Sequence, residues 1–141
     1  MNQDLMQARQ LLISQGYTCV LCSGQRVYTA TARGVKPLAD WVKSGTDLAG
    51  FSAADKVVGK ATAFLYCLLG VRAVHAHVMS AAAREVLQSH GIEAYWDTLV
   101  DAIINRRGDG PCPFEAAVWQ ITEPQQALDA IRLKQKQMGI E

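Results

Sequence analysis

The sequence predicts a single α/β domain whose sheet opens with an antiparallel hairpin and continues with parallel strands separated by helices. Residues 17–22 and 26–32 are β-rich runs joined by a turn at Ser23, Gly24 and Gln25. Beyond residue 70, β-branched runs alternate with helical segments that carry their own start and stop signals. The chain has 141 residues, 50% hydrophobic and 19% charged, which fits one domain and furnishes ample material for a core.

Leu5, Ala8, Leu11 and Leu12 recur at helical spacing, and Gly16 closes this first helix. The hairpin follows. Its Cys19 and Cys22 form a Cys-x-x-Cys, but residues three apart on a strand project to opposite faces. The two thiols therefore read as core or surface groups, not as ligands of one metal. Arg33, Gly34, Val35, Lys36 and Pro37 make a loop, and Pro37 starts a short helix running through Leu38, Trp41 and Val42 to Gly45. Arg33 and Lys36, basic and beside a glycine at a strand end, are candidate ligand contacts; a solvated turn is the plainer alternative. Residues 46–51 link this helix to the next element.

The stretch 52–70 is expected to be the central helix. Ser52 supplies an N-cap with Asp55 three residues on, and Gly70 a stop. Between them apolar residues lie on almost every face, among them Ala53, Val57, Val58, Phe64 and Leu68, so the helix should be buried on more than one side. Asp55, Lys56 and Lys60 argue against a membrane span. Gly59 would then sit mid-helix at a cost of about 1 kcal/mol relative to Ala. Lys56 and Lys60 would be a like-charge pair one turn apart. Both costs make sense if something approaches the backbone at Gly59 and an anion sits near the lysines, since a helix N-terminus favours anions. The alternative is that Gly59 merely admits a neighbouring element.

Residues 71–79 read as a strand with Val71, Ala73, His75, His77 and Met79 on one face. A His-x-His on a strand suits a metal, but a site needs a third ligand and none is near in sequence. Ser80 caps a helix over 81–89 that ends at His90 and Gly91. Residues 92–96 form another strand, and Asp97 is expected to begin a helix reaching Asn105. Further on, Pro113 suits the first turn of a helix with Cys112 at its N-cap and Glu115 behind it. A thiol so placed is favoured as thiolate by the helix dipole and nearby arginines, which makes Cys112 a candidate nucleophile with Glu115 or Asp109 as acid/base partner. A cap in a Gly/Pro-rich loop explains the same residues. The last helix runs from Glu123 and Pro124 through Ala127, Leu128 and Ile131 to about Gln137.

Net charge of +1 argues against a nucleic-acid surface. The four cysteines form no disulfide pattern, and residues 1–4 open directly into a helix pattern without a signal segment. Both suit a cytoplasmic setting.

Three blocks carry a family resemblance: Arg33 to Leu38, Asp55 to Ala61, and Asn105 and Arg106 through Cys112, Pro113, Phe114 and Glu115. Together they resemble a small uncharacterised bacterial family assigned a cytidine-deaminase-like fold. The resemblance implies a three-layer α/β/α sheet with a leading antiparallel hairpin and then parallel strands. It implies no known activity. The wider deaminase superfamily would place a zinc-binding His or Cys and a proton-shuttling Glu at the start of the central helix, and Pro-Cys-x-x-Cys at the helix after the next strand. Residues 53–57 hold no His, Cys or Glu, and residues 79–83 hold no Cys. The resemblance thus carries the fold and withholds the zinc chemistry, so no metal and no cofactor are expected.

The leading expectation is a small-molecule-binding domain, for a nucleotide-like or other anionic ligand, with a sensing or carrier role. Arg33, Lys36, Lys56, Lys60 and Arg106 would face the anion, Gly59 would admit it, and Asp55 would accept a hydrogen bond from a base or ribose. The alternatives are a Cys112-dependent enzyme and a structural or protein-interaction module. No nucleic-acid or membrane partner is expected; a homo-oligomer stays open.

Overall fold

The hairpin does lead the sheet. A computed structural model describes residues 1–105 and 107–141. Helix α1 (Gln3–Gln15) precedes β1 (Cys19–Ser23) and β2 (Arg26–Ala30), and α2 (Lys36–Ser44) follows. Then come β3 (Ser52–Val58), α3 (Lys60–Leu69), β4 (Ala73–Ser80), α4 (Ala81–Ser89), β5 (Glu93–Val100), α5 (Pro113–Val118) and α6 (Pro124–Met138). The strands lie in the order β2-β1-β3-β4-β5. β1 runs antiparallel to both β2 and β3, while β3, β4 and β5 are parallel. This is a mixed α/β architecture on a five-stranded mixed sheet.

Alternation along the strands divides the core in two. On one face Ala8 and Leu12 of α1 pack against Val20, Cys22 and Ala54. On the other, Leu21, Ala53 and Val74 meet helices α2 to α6 in a larger core that includes Phe64, Leu65 and Ile131. Cys19 belongs to the larger core and Cys22 to the smaller, on opposite faces as their spacing requires. No described helix is long and apolar enough to cross a membrane.

Two expected helices are corrected. The stretch 52–70 is a strand followed by a helix, with Gly59 as the N-cap between them. The apolar residues of its first half that read as an all-round helix are those of a central strand buried on both faces. Ser52 is no cap; it is wholly buried, and its hydroxyl donates to Asn2 Oδ1 at 3.1 Å. Gly59 is therefore not mid-helix, and Lys56 and Lys60 are not a turn apart: Lys56 is exposed on β3 and Lys60 opens α3. The second correction is at Asp97. β5 continues through it to Val100, where Thr98, Leu99 and Val100 pair with Val78, Met79 and Ser80.

Candidate functional site

In an open α/β sheet the C-terminal ends of the parallel strands are where ligands gather, because the chain leaves each strand there to cross over. Here β3 ends at Val58 and turns through Gly59 into α3, β4 ends at Ser80 and turns into α4, and β5 ends at Val100. A cavity of about 440 Å³ opens at this edge. Ser80 and Ala82 line it from the start of α4, Asp101 and Ile103 from the stretch after β5, and Glu115 and Trp119 from α5 and its end.

The local sequence fixes each wall. Ser80 has extended φ/ψ and its Oγ accepts from Ala83 N at 3.1 Å, which starts α4. The stretch after β5 doubles back: Asn105 N donates to the Gly110 carbonyl at 2.8 Å and Cys112 N to that of Ile103 at 3.1 Å. Pro113 then starts α5, and buried Phe114 and Val118 anchor it on the core.

Between those two anchors Glu115 reaches the head of α3. Its Oε1 accepts from Lys60 N at 2.6 Å and its Oε2 from Ala61 N at 2.9 Å. Two helix N–H groups with no intrahelical partner thus receive a carboxylate, which also opposes the positive end of the helix dipole. Lys60 returns the contact: its Nζ donates to the Trp119 carbonyl at 2.8 Å and lies 5.8 Å from the Phe64 ring centroid. Trp119 is 64% exposed.

A second polar cluster lies beneath α3. Tyr66 OH donates to Asp55 Oδ2 at 2.6 Å and is 3.2 Å from Cys19 Sγ. Burial pushes the Asp55 carboxyl up to about 7, against the Tyr66 hydrogen bond that pulls it down. The Cys19 thiol and the Tyr66 phenol are raised well above their ordinary values, burial first and the Asp55 charge second.

A third lies on the α1 side of the sheet. His75 Nε2 is 3.2 Å from Asp97 Oδ1, and His77 Nδ1 is 3.0 Å from Oδ2. The Arg9 guanidinium stands 3.8 Å from the same carboxylate. Among the described residues no three His, Cys, Asp or Glu side chains are placed to hold a metal ion.

Residues 7–134 match the sequence profile of DUF1893, a domain of unknown function. The chain belongs to the DUF1893 family. A crystal structure of a DUF1893 protein from Thermotoga maritima is similar over 97% of this chain and 92% of that one, with a TM-score of 0.84. At 24% identity that likeness is one of fold. No curated protein matches the chain.

In this DUF1893 chain the residues singled out from sequence do not form one set. Gly59, Lys60 and Glu115 meet at the head of α3. Cys112 is the N-cap residue of α5, half-buried and packed against the larger core, with no side-chain cap bond. Asp55 faces Tyr66, and Lys56 is exposed. Lys36 pairs with Asp40 at 3.3 Å and borders a separate groove beside Trp41 and Thr29. Arg33 is exposed on its loop. Arg106 lies outside the described residues. Asp101, Ile103 and Trp119 were not reachable from motifs, and Ser80 read only as a cap. One signal was available: Ser80 and Asp101 stand at or just past the ends of parallel strands.

Proposed function

We propose that this DUF1893 domain binds a small molecule at the C-terminal edge of its parallel strands, in a sensing or carrier role. The observation that carries this reading is the cavity between the start of α4 and α5, with the exposed Trp119 among its lining. Its volume of about 440 Å³ is in the range of small-molecule sites and suits a body the size of a nucleoside. The sheet order and the family resemblance support a cytidine-deaminase-like arrangement, in which α3 and α4 both start at this edge.

The zinc chemistry of deaminases finds no support at those helix starts. Gly59, Lys60 and Ala61 open one, and Ser80, Ala81 and Ala82 the other. No imidazole or thiol stands among them. The geometry also favours the body of a nucleotide-like ligand over its phosphate, because Glu115 already occupies the N–H groups of α3 that a phosphate would use.

A fragment screen followed by backbone and indole NMR shifts tests the reading. Binders should perturb Ser80, Ala82, Ala116 and the Trp119 indole together. Shifts confined to the groove beside Lys36 and Trp41, or no binders at all, would refute it.

A further inference from the structure

We infer that the cavity takes a planar organic cation, such as an aromatic amidine or a protonated aminoheterocycle. This rests on the cavity being the binding site. Its walls are mainly apolar, with Ala82, Ile103 and Ala116 among them, and suit a ring. Its charged lining groups are both carboxylates, Asp101 and Glu115; no Lys, Arg or His lines it among the described residues. Lys60, on the neighbouring helix start, turns its ammonium to the Trp119 carbonyl and the Phe64 ring. Glu115 spends one lone pair of each oxygen on α3, and a carboxylate can accept about four hydrogen bonds. The exposed indole of Trp119 adds a π face, the partner a delocalised cation prefers.

A third polar group joins them. Ser80 is 1% exposed, and its oxygen accepts from Ala83 N. Among the described residues no acceptor takes its hydroxyl hydrogen, so a ring nitrogen of the ligand has a donor waiting. A phosphate or carboxylate ligand would meet the like charges of Asp101 and Glu115, and to reach the N–H groups of α3 it would have to displace Glu115.

Benzamidine, benzamide and benzoate are planar near-isosteres with positive, zero and negative charge. Titrating each into the 141-residue chain while following the Trp119 indole signal separates the possibilities. Benzamidine should bind about tenfold more tightly than benzamide, and benzoate more weakly still. Asp101→Asn should remove most of the benzamidine advantage and leave benzamide unchanged. Equal affinities, or a preference for benzoate, overturn the cation assignment and leave the small-molecule site standing. Failure of all three to move Trp119, in a protein whose fragment screen does map to the cavity, also overturns the assignment. A screen that maps elsewhere overturns both.

Discussion

Gly59 has no side chain because Glu115 fills the space one would occupy. A Cβ built at Gly59 would lie 2.6 Å from the Glu115 carboxyl carbon. The Gly59 backbone, with φ of −97°, is open to any residue, so substitution costs energy through the carboxylate it displaces and not through strain. Gly59→Ala and Glu115→Ala should each destabilise the fold by about 1–3 kcal/mol. Because both act on one contact, the double variant should cost less than the sum by about 1 kcal/mol or more. Urea denaturation of the four proteins measures the cycle. Strict additivity would show that Glu115 does not depend on the bare backbone at Gly59.

Asp55 should make the domain more stable in mild acid. Its carboxyl is raised from 3.8 to about 7 in the fold, so below that value the native chain holds a proton the unfolded chain has released. The contribution grows as pH falls through 7 and is lost as pH rises past it. Stability should rise by about 1 kcal/mol between roughly pH 8.5 and 6.5, and Asp55→Asn should abolish the rise. Tyr66→Phe removes a hydrogen bond that favours the carboxylate, and should move the rise to higher pH. A flat profile in the parent chain defeats this account.

The acid limb should have the opposite sign and another origin. Burial lowers the His75 pKa, so the unfolded chain takes up that proton first, and stability falls as pH drops below His75's ordinary range. The hydrogen bond from His77 lowers the Asp97 pKa, so its contribution is present above the ordinary carboxylate value and is lost on further acidification. Asp97→Asn should lower the Tm at neutral pH and shallow the loss in strong acid. An unchanged acid limb in that variant rules out the Asp97 cluster as its source.

Cysteine reactivity should be restricted. Burial raises the Cys22 and Cys67 thiols to about 11 and lifts Cys19 well above its ordinary value. Little thiolate is present at pH near 8, and Cys19 and Cys22 are also closed to reagent. Iodoacetamide on the native chain should modify Cys112 first, with Cys67 slower by at least about tenfold. Peptide mapping against a denatured control reads this out, and early labelling of Cys67 contradicts it.

The hairpin, β4, the first half of β5, the Ser80 cap and the last helix were legible because each rests on a local pattern. Residues 52–58 were not. Ala53 and Ala54 are buried on opposite faces by different helices, and a strand buried on both sides has no alternation to read. Asp97 looked like a helix start because Asp is a good N-cap; its actual partners, His75 and His77, lie on the adjacent strand. The anomaly at Gly59 was visible as a glycine needing an explanation, and what meets its backbone is a neighbouring element, the plainer of the two readings. That the contact is made by Glu115 was beyond local reading. The cavity was hidden for a similar reason: its walls come from segments separated by many residues, and only the fold brings them together.

The head of α3 depends on a carboxylate 55 residues further along the chain. On the ribosome, then, the central helix emerges well before the group that caps it, and before Phe114, Val118 and Ile131 arrive to cover the larger core. A nascent chain that stops short of Pro113 has all five strands but lacks part of the wall that covers Phe64 and Leu65, which leaves an apolar surface of the kind a chaperone holds. Synthesis of α5 and α6 is the step that shelters it.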